Sequence, residues 1–225
     1  MFLDAAGTLF ETYPSVGAIY HRFGKRYGSE VSAEHLDELF AEVWRSRDRD
    51  ALRQKDSSPT DEREFWRSIL VAVYRRAGMF DGIDRFFDEV YAFFSTGGAW
   101  RLFPDTMPLL NELRRRGKQT IIVSNWTVAL YDICRDLQVD RRVDGIIASG
   151  DVKMSKPDPR IFELALRKAG CKPREAVHIG DSLAHDIEGA RAAGIDAIWL
   201  DRQSRASSSD RERYVVAHDL MQLIG

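Results

Sequence analysis

The chain is predicted to be an α/β protein: a doubly wound parallel sheet interrupted near its start by an inserted bundle of helices. Three observations predict it. After Trp100, short apolar runs alternate with helical stretches, the pattern of a parallel sheet with crossover helices. From about Pro14 to Trp100 there is helical periodicity and little else. The chemistry-bearing residues Asp4, Ser124, Lys156 and Asp181 each lie just beyond a short β-type run, where open α/β sheets carry their chemistry.

Asp4 closes the first strand, and only Met1, Phe2 and Leu3 remain to build it, against a usual ~5 residues. Either this strand is frayed at its beginning or further residues precede it. Helical stripes follow at Leu36, Leu39, Phe40, Val43 and Trp44, then at Phe65, Trp66, Ile69, Leu70, Val73 and Tyr74, then at Phe86, Phe87, Val90, Tyr91 and Phe94. Ser32 with His35 supplies half of a capping box. The polar stretch Arg45–Glu64, which contains Ser57-Ser58-Pro59, reads as a loop between two of these helices.

Beyond Trp100, strands are expected at Thr120–Val123, Gly145–Ala148, Ala176–Ile179 and Ala197–Leu200. Helices are expected at Asp105–Arg116, Thr127–Leu137, Pro159–Ala169 and Ala184–Ala193, with a last one near Tyr214–Leu223. Gly117, Gly170 and Gly194 fall where three of them should end. The resulting organisation is a core domain of residues 1–13 and 101–225 and a helical cap domain of residues 14–100.

Composition bounds the function. With 44% hydrophobic and 30% charged residues the chain can bury a sizeable core. A formal net charge of -2 gives no electrostatic case for nucleic acid or an acidic membrane as partner, and Arg114-Arg115-Arg116 reads as a solvated face. No stretch is long enough for a signal peptide or membrane span, and Cys134 and Cys171 are expected to be reduced thiols. A cytoplasmic protein is expected, as a monomer or homodimer, acting on a small molecule.

Each chemistry-bearing residue also has a bland alternative. Asp4 could cap a turn before Gly7, Asp181 could be a helix N-cap, and Ser124 could cap the helix after Trp126. Lys156 has a rival in Lys153, taken as solvent-facing, and Asp186 could be a surface residue on a helix. His178 and His185 flank the site without metal-ligand spacing and read as structural.

Together, Asp4-x-x-Gly7-Thr8, Ser124, Lys156 and Gly180-Asp181-x-x-x-x-Asp186 resemble the four signature motifs of the haloacid dehalogenase-like hydrolase superfamily, in its order. Ser155-Lys156-Pro157-Asp158-Pro159-Arg160-Ile161-Phe162 and the run Asp186–Gly194 add to the likeness. The resemblance implies a Rossmann-like core and a phosphorylated small-molecule substrate, with Asp4 as a nucleophile that forms a covalent intermediate. An anion attacking a phosphate dianion needs charge neutralisation, and a divalent cation held by hard oxygens supplies it. Asp4 and Asp181 are the natural carboxylate ligands, with the Ala6 backbone carbonyl as a third, and the resemblance implies Mg²⁺. Lys156 would add a fixed positive charge near the transferring group. Thr8, Ser124, Asn125 and loop N–H groups would hold phosphate oxygens, and Asp186 would orient Lys156 or a water.

Ala6 departs from the family pattern. In the superfamily's phosphatases this position is a second Asp that protonates the leaving group and then activates water, and an alanine can do neither. The favoured expectation is a phosphohydrolase of weak or specialised activity, because Phe65-Trp66 and Ser124-Asn125-Trp126 resemble a phosphatase-like branch that often lacks this Asp. Phosphonoacetaldehyde hydrolases of the superfamily also carry Asp-x-Ala-Gly-Thr, but they need a deprotonated cap lysine, and the insertion offers only Lys25 and Lys55. The 2-haloacid dehalogenases carry a Tyr where this chain has Ala6. A catalytically impaired protein that keeps its pocket for binding is the alternative from another class.

Overall fold

The computed structural model describes residues 1–51 and 59–224, with side chains described outside 47–61. The chain divides into two compact units, Met1–Glu11 with Leu102–Gly225, and Thr12–Arg101.

In chain order, β1 (Phe2–Leu3) and β2 (Phe10–Thr12) precede four helices, α1 (Val16–Gly24), α2 (Ala33–Ala51), α3 (Pro59–Ala77) and α4 (Ile83–Phe94). The helical unit buries Leu36, Leu39 and Val43 of α2 with Ile69, Leu70 and Val73 of α3 and Phe86, Phe87 and Val90 of α4. These are the expected stripes, since residues three and four apart share a helix face. Ser32 Oγ accepts the His35 N–H at 3.2 Å, supplying the half capping box.

The chain continues with β3 (Trp100–Leu102), α5 (Thr106–Arg115), β4 (Ile121–Ser124), α6 (Ala129–Asp136), β5 (Gly145–Ala148), α7 (Ser149–Val152) and α8 (Pro159–Ala169). It ends with β6 (Val177–Gly180), a π-type turn at Leu183–Glu188, α9 (Gly189–Ala192), β7 (Asp196–Leu200), α10 (Ser208–Arg213) and β8 (Val215–Ala217). The six strands of the sheet run in the order β5-β4-β1-β6-β7-β8, all parallel. β2 and β3 pair separately. Short as it is, β1 lies centrally, with Phe2 in register with Ile121 on one side and His178 on the other.

On one sheet face Phe2, Ile121, Val123 and Ile147 pack against Ile161, Phe162, Ala165 and Leu166 of α8 and Ala190 of α9. Ile122 and Leu3, alternating with these residues, are equally buried, so β1 and β4 are covered on both faces. Burying each such side chain contributes on the order of 1.5–3 kcal/mol.

Three expectations are corrected. The helix expected at Tyr214–Leu223 is replaced by α10, β8 and a 3₁₀ turn at Leu220–Leu223. Ser207 starts the helix earlier through a reciprocal capping box with Asp210, and Val215 and Val216 then pair with Ile198 and Trp199. The stretch Arg45–Glu64, expected as a loop, is helical at both ends, because its charged residues are good helix formers; residues 52–58 lie outside the described residues. Ala184–Ala193 is not one regular helix, since its first part is the π-type turn, where the Ile187 N–H reaches Ser182 O at 3.3 Å.

Candidate active site

The site is assembled where β4, β1 and β6, neighbours in the sheet, reach their carboxyl ends. Asp4 follows β1, and its N–H donates to Ile179 O of β6 at 2.9 Å. Beyond it the chain turns tightly, the Ala5 carbonyl accepting from Thr8, Leu9 and Phe10. Gly7 has φ of +79°, and a Cβ there would lie 2.5 Å from Asp181 Oδ2, so glycine is required twice over. Ser124 is the last residue of β4, and Asp181 directly follows β6. A Cβ on Gly180 would come within 2.1 Å of Asp186 Cγ, so that glycine makes room for the carboxylate.

Asp4 Oδ1 accepts hydrogen bonds from Ser124 Oγ at 2.9 Å and from Lys156 Nζ at 2.5 Å. Lys156 Nζ also donates to Asp186 Oδ1 at 2.5 Å, and that oxygen lies 2.8 Å from His178 Nε2. Asp186 Oδ2 accepts the Ser182 N–H at 3.0 Å. Lys156 is 4% exposed and Asp186 1%, so this ion pair is shielded from water.

Several expectations can be set against this geometry. Asp186 is buried, not a surface residue, because the π-type turn brings its carboxylate back onto Lys156. Ser124 caps no helix, since its hydroxyl goes to Asp4. The N-cap role considered for Asp181 falls to Ser182, whose Oγ accepts the His185 N–H at 3.3 Å. The Asp181 carboxylate has no hydrogen-bond partner among the described residues, while its backbone carbonyl accepts from Trp199 Nε1 at 3.0 Å. Asn125 is occupied with the backbone of Lys156: its Nδ2 donates to Lys156 O at 2.8 Å and its Oδ1 accepts the Lys156 N–H at 2.7 Å. It anchors the lysine loop. Thr8 is buried, with its hydroxyl unpartnered and its carbonyl accepting from Arg202 Nη2 at 2.8 Å. Lys153 is exposed, as expected.

Sequence reasoning missed what two residues touch. His178 is structural, as expected, but what it holds is Asp186, signalled in sequence by its place on the strand that leads into Gly180-Asp181. Arg202, which follows β7, belongs to none of the four motifs, although it too stands just beyond a strand's carboxyl end.

Burial alone would raise Asp186, but the Lys156 ammonium and His178 hold it well below the ordinary carboxylate range. Burial would likewise lower Lys156, but Asp186 and Asp4 more than offset this and keep it protonated. For Asp4 burial wins over the attraction of Lys156, and its carboxyl is raised. Asp181 is pushed up to about 7, by burial first and then by Asp4 and Asp186.

Three carboxylates thus share the site with one ammonium. One oxygen each of Asp4, Asp181 and Asp186 lie within 4.8 Å of one another. With the Asp186 oxygens bonded to Lys156, His178 and Ser182, Asp181 and Asp4 are the carboxylates left to serve a cation. Hard oxygen donors with uncompensated negative charge fit Mg²⁺ or a similar divalent ion. Among the described residues no helix is long and apolar enough to cross a membrane. Lys25 of the helical unit is exposed, and Lys55 lies outside the described residues.

A carboxylate, an ammonium and a hydroxyl converging at the carboxyl ends of a parallel sheet match the class of hydrolase that the four motifs resemble. The haloacid dehalogenase-like hydrolase family model matches residues 1–194, and the chain belongs to that family. It is 28% identical over 222 residues to haloacid dehalogenase-like hydrolase domain-containing protein 3 of Mus musculus, covering 98% of this chain and 88% of that protein. It is 33% identical over 140 residues to a phosphoserine phosphatase of Thermus thermophilus, covering 59% of this chain and 53% of that one. Among solved structures, the magnesium-bound HAD-hydrolase YfnB from Bacillus subtilis aligns with a TM-score of 0.78 at 17% identity, over 99% of this chain and 95% of that one. At that identity the likeness concerns the fold.

Proposed function

We propose that the protein is a Mg²⁺-dependent phosphohydrolase of weak or specialised activity, acting in the cytoplasm on a small phosphorylated metabolite through Asp4. The observation that carries this is the pair of donors on one oxygen of a buried carboxylate: Ser124 Oγ at 2.9 Å and Lys156 Nζ at 2.5 Å from Asp4 Oδ1. They fix the direction in which Asp4 presents its carboxylate. The phosphoserine phosphatase relative supports a phosphate ester as substrate class.

Asp4 and Asp181, with the Ala6 carbonyl as a further oxygen, would hold Mg²⁺, which supplies the charge neutralisation that an anion needs to approach a phosphate dianion. A carboxylate oxygen of Asp4 attacks phosphorus, the bond to the leaving oxygen breaks, and an aspartyl phosphate forms. Water then attacks phosphorus, and Asp4 leaves as the carboxylate. Lys156 remains charged throughout because Asp186, braced by His178 and Ser182, pairs with it alongside Asp4. Loop N–H groups are assigned to phosphate oxygens, as is the Ser124 hydroxyl once its one O–H turns from Asp4 Oδ1 to the substrate. Ala6 offers no proton, so the leaving group must be a good one or take its proton from water.

The test measures phosphate release from an activated aryl phosphate with and without Mg²⁺, in wild type, Asp4→Asn and Ala6→Asp. Release that requires both Mg²⁺ and Asp4 is expected, with a gain of at least about tenfold in Ala6→Asp. Metal-independent chloride release from a 2-haloacid would overturn the proposal in favour of a dehalogenase. Mg²⁺ or phosphate raising the melting temperature without any turnover would favour a binding protein.

A further inference from the structure

We propose that Arg202 is a positioning residue for the nucleophile loop, an inference that rests on the role of Asp4 given above. Arg202 directs its guanidinium at two targets. Nη1 and Nη2 donate to the two carboxylate oxygens of Asp105 at 2.8 and 2.9 Å, and Nη2 also donates to the Thr8 carbonyl at 2.8 Å. The guanidinium carbon lies 3.8 Å from the centre of the Phe103 ring. Its side chain is 16% exposed and that of Asp105 10%.

Thr8 sits on the outer limb of the turn that begins at Asp4. The inner limb is tied to the sheet through the Asp4 N–H on Ile179 O. The outer limb is tied at consecutive carbonyls, Thr8 O by Arg202 and Leu9 O by Thr106 Oγ1 at 2.5 Å and the Phe103 N–H at 3.0 Å. Asp105 also accepts the Leu220 N–H at 2.8 Å, so one carboxylate fastens the arginine, the start of α5 and the C-terminal segment together. Asp105 neutralises the guanidinium, which leaves the loop with a rigid donor that brings no excess charge toward the nucleophile. A lysine keeps the ion pair but has neither the planar fork nor the stacking face.

A structural ion pair and a positioning device predict different outcomes. Arg202→Lys and Arg202→Met are compared with wild type for melting temperature, kcat and KM on an activated aryl phosphate, and amide exchange along the chain. Arg202→Lys is expected to lower kcat by about tenfold, because small displacements of a nucleophile are costly, while KM stays within about twofold. Exchange at residues 5–10 quickens while that of β4 does not. In Arg202→Met, millimolar guanidinium chloride is expected to recover part of kcat, and an equal concentration of sodium chloride none of it. Wild-type kcat and wild-type loop exchange in both variants would overturn the proposal, as would faster exchange spread evenly over the core. If wild type itself turns over no phosphate ester, it is the reading of Asp4 that fails. Exchange then decides alone: faster exchange confined to 5–10 sustains the role of Arg202, and unchanged protection there removes it.

Discussion

Asp181→Asn should stabilise the metal-free protein at mildly alkaline pH while abolishing its response to Mg²⁺. Burial, with Asp4 and Asp186 nearby, lifts the Asp181 carboxyl from 3.8 to about 7. Each unit corresponds to about 1.4 kcal/mol, so the ionised carboxylate costs the folded state on the order of 4 kcal/mol. The folded value lies above the unfolded one. The stability associated with this group is therefore fully present below 3.8 and is lost as pH rises through about 7. Asparagine has nearly the same shape and never ionises, so in EDTA near pH 8 the variant gains up to about 4 kcal/mol. For a chain of this length that is a rise of roughly 10 °C in melting temperature, and the gain fades towards about pH 4. If the proposed Mg²⁺ site holds, added Mg²⁺ should reverse the order, because it would stabilise wild type through the anionic oxygens and lose the Asp181 oxygen in the variant. Scanning calorimetry in EDTA and in Mg²⁺, at both pH extremes, measures all four quantities. A variant less stable than wild type in EDTA near pH 8, or one with an equal Mg²⁺ upshift, would refute the charge-excess account of the site.

Gly7→Ala should do the opposite in EDTA. The φ of +79° costs about 1 kcal/mol for alanine, and the new Cβ meets Asp181 Oδ2 at 2.5 Å, so both melting temperature and Mg²⁺ response fall. Adding Asp181→Gly should recover the steric share of the loss, read from a double-mutant cycle of melting temperatures. For Asp105, burial would raise the carboxyl, but the Arg202 and Leu220 hydrogen bonds outweigh it and hold the group below its ordinary 3.8. Its stabilising contribution is accordingly present above 3.8 and lost as pH falls through the lower folded value. Asp105→Asn should cost about 2 kcal/mol at neutral pH and progressively less in acid, measured by urea titration at several pH values.

The parts of the site that were legible are those announced by a strand end. Asp4, Ser124 and Asp181 each follow a short apolar run, and a parallel sheet brings such positions to one edge whatever fills the intervening chain. What a side chain does there depends on which way it turns, and that was not legible. In the strand holding His178, a sheet buried on both faces gives no alternation from which its direction could be read. Asp186 lies four residues after Ser182, a spacing that a regular helix and a π-type turn share, so its burial was hidden. Asn125 stands beside Ser124 in sequence, yet its amide faces the Lys156 backbone and not Asp4. The polar stretch that begins at Arg45 stays helical as far as Ala51, because polarity is not irregularity and Arg is a good helix former.

The absence of a second loop carboxylate has a structural corollary. Residue 6 enters the loop through its backbone alone: Ala6 bridges to Phe10, and the neighbouring Gly7 N–H donates to Phe10 O at 2.9 Å. The bonds that aim Asp4 involve Ile179, Ser124, Lys156 and the Ala5 backbone, and none of these passes through the side chain at position 6. The placing of Asp4 is therefore separable from any proton supplied at position 6, and a chain can lose the second without disturbing the first. A missing general acid or base is worth ~10² to 10⁴ in rate, but only where the departing oxygen needs a proton. In the proposed reaction, a leaving group stable as an anion would need no proton donor beside the cluster of Asp4, Ser124 and Lys156. Under the proposed reaction, the methyl group at position 6 would bear on which phosphate esters can be turned over, while Asp4 is aimed by other residues.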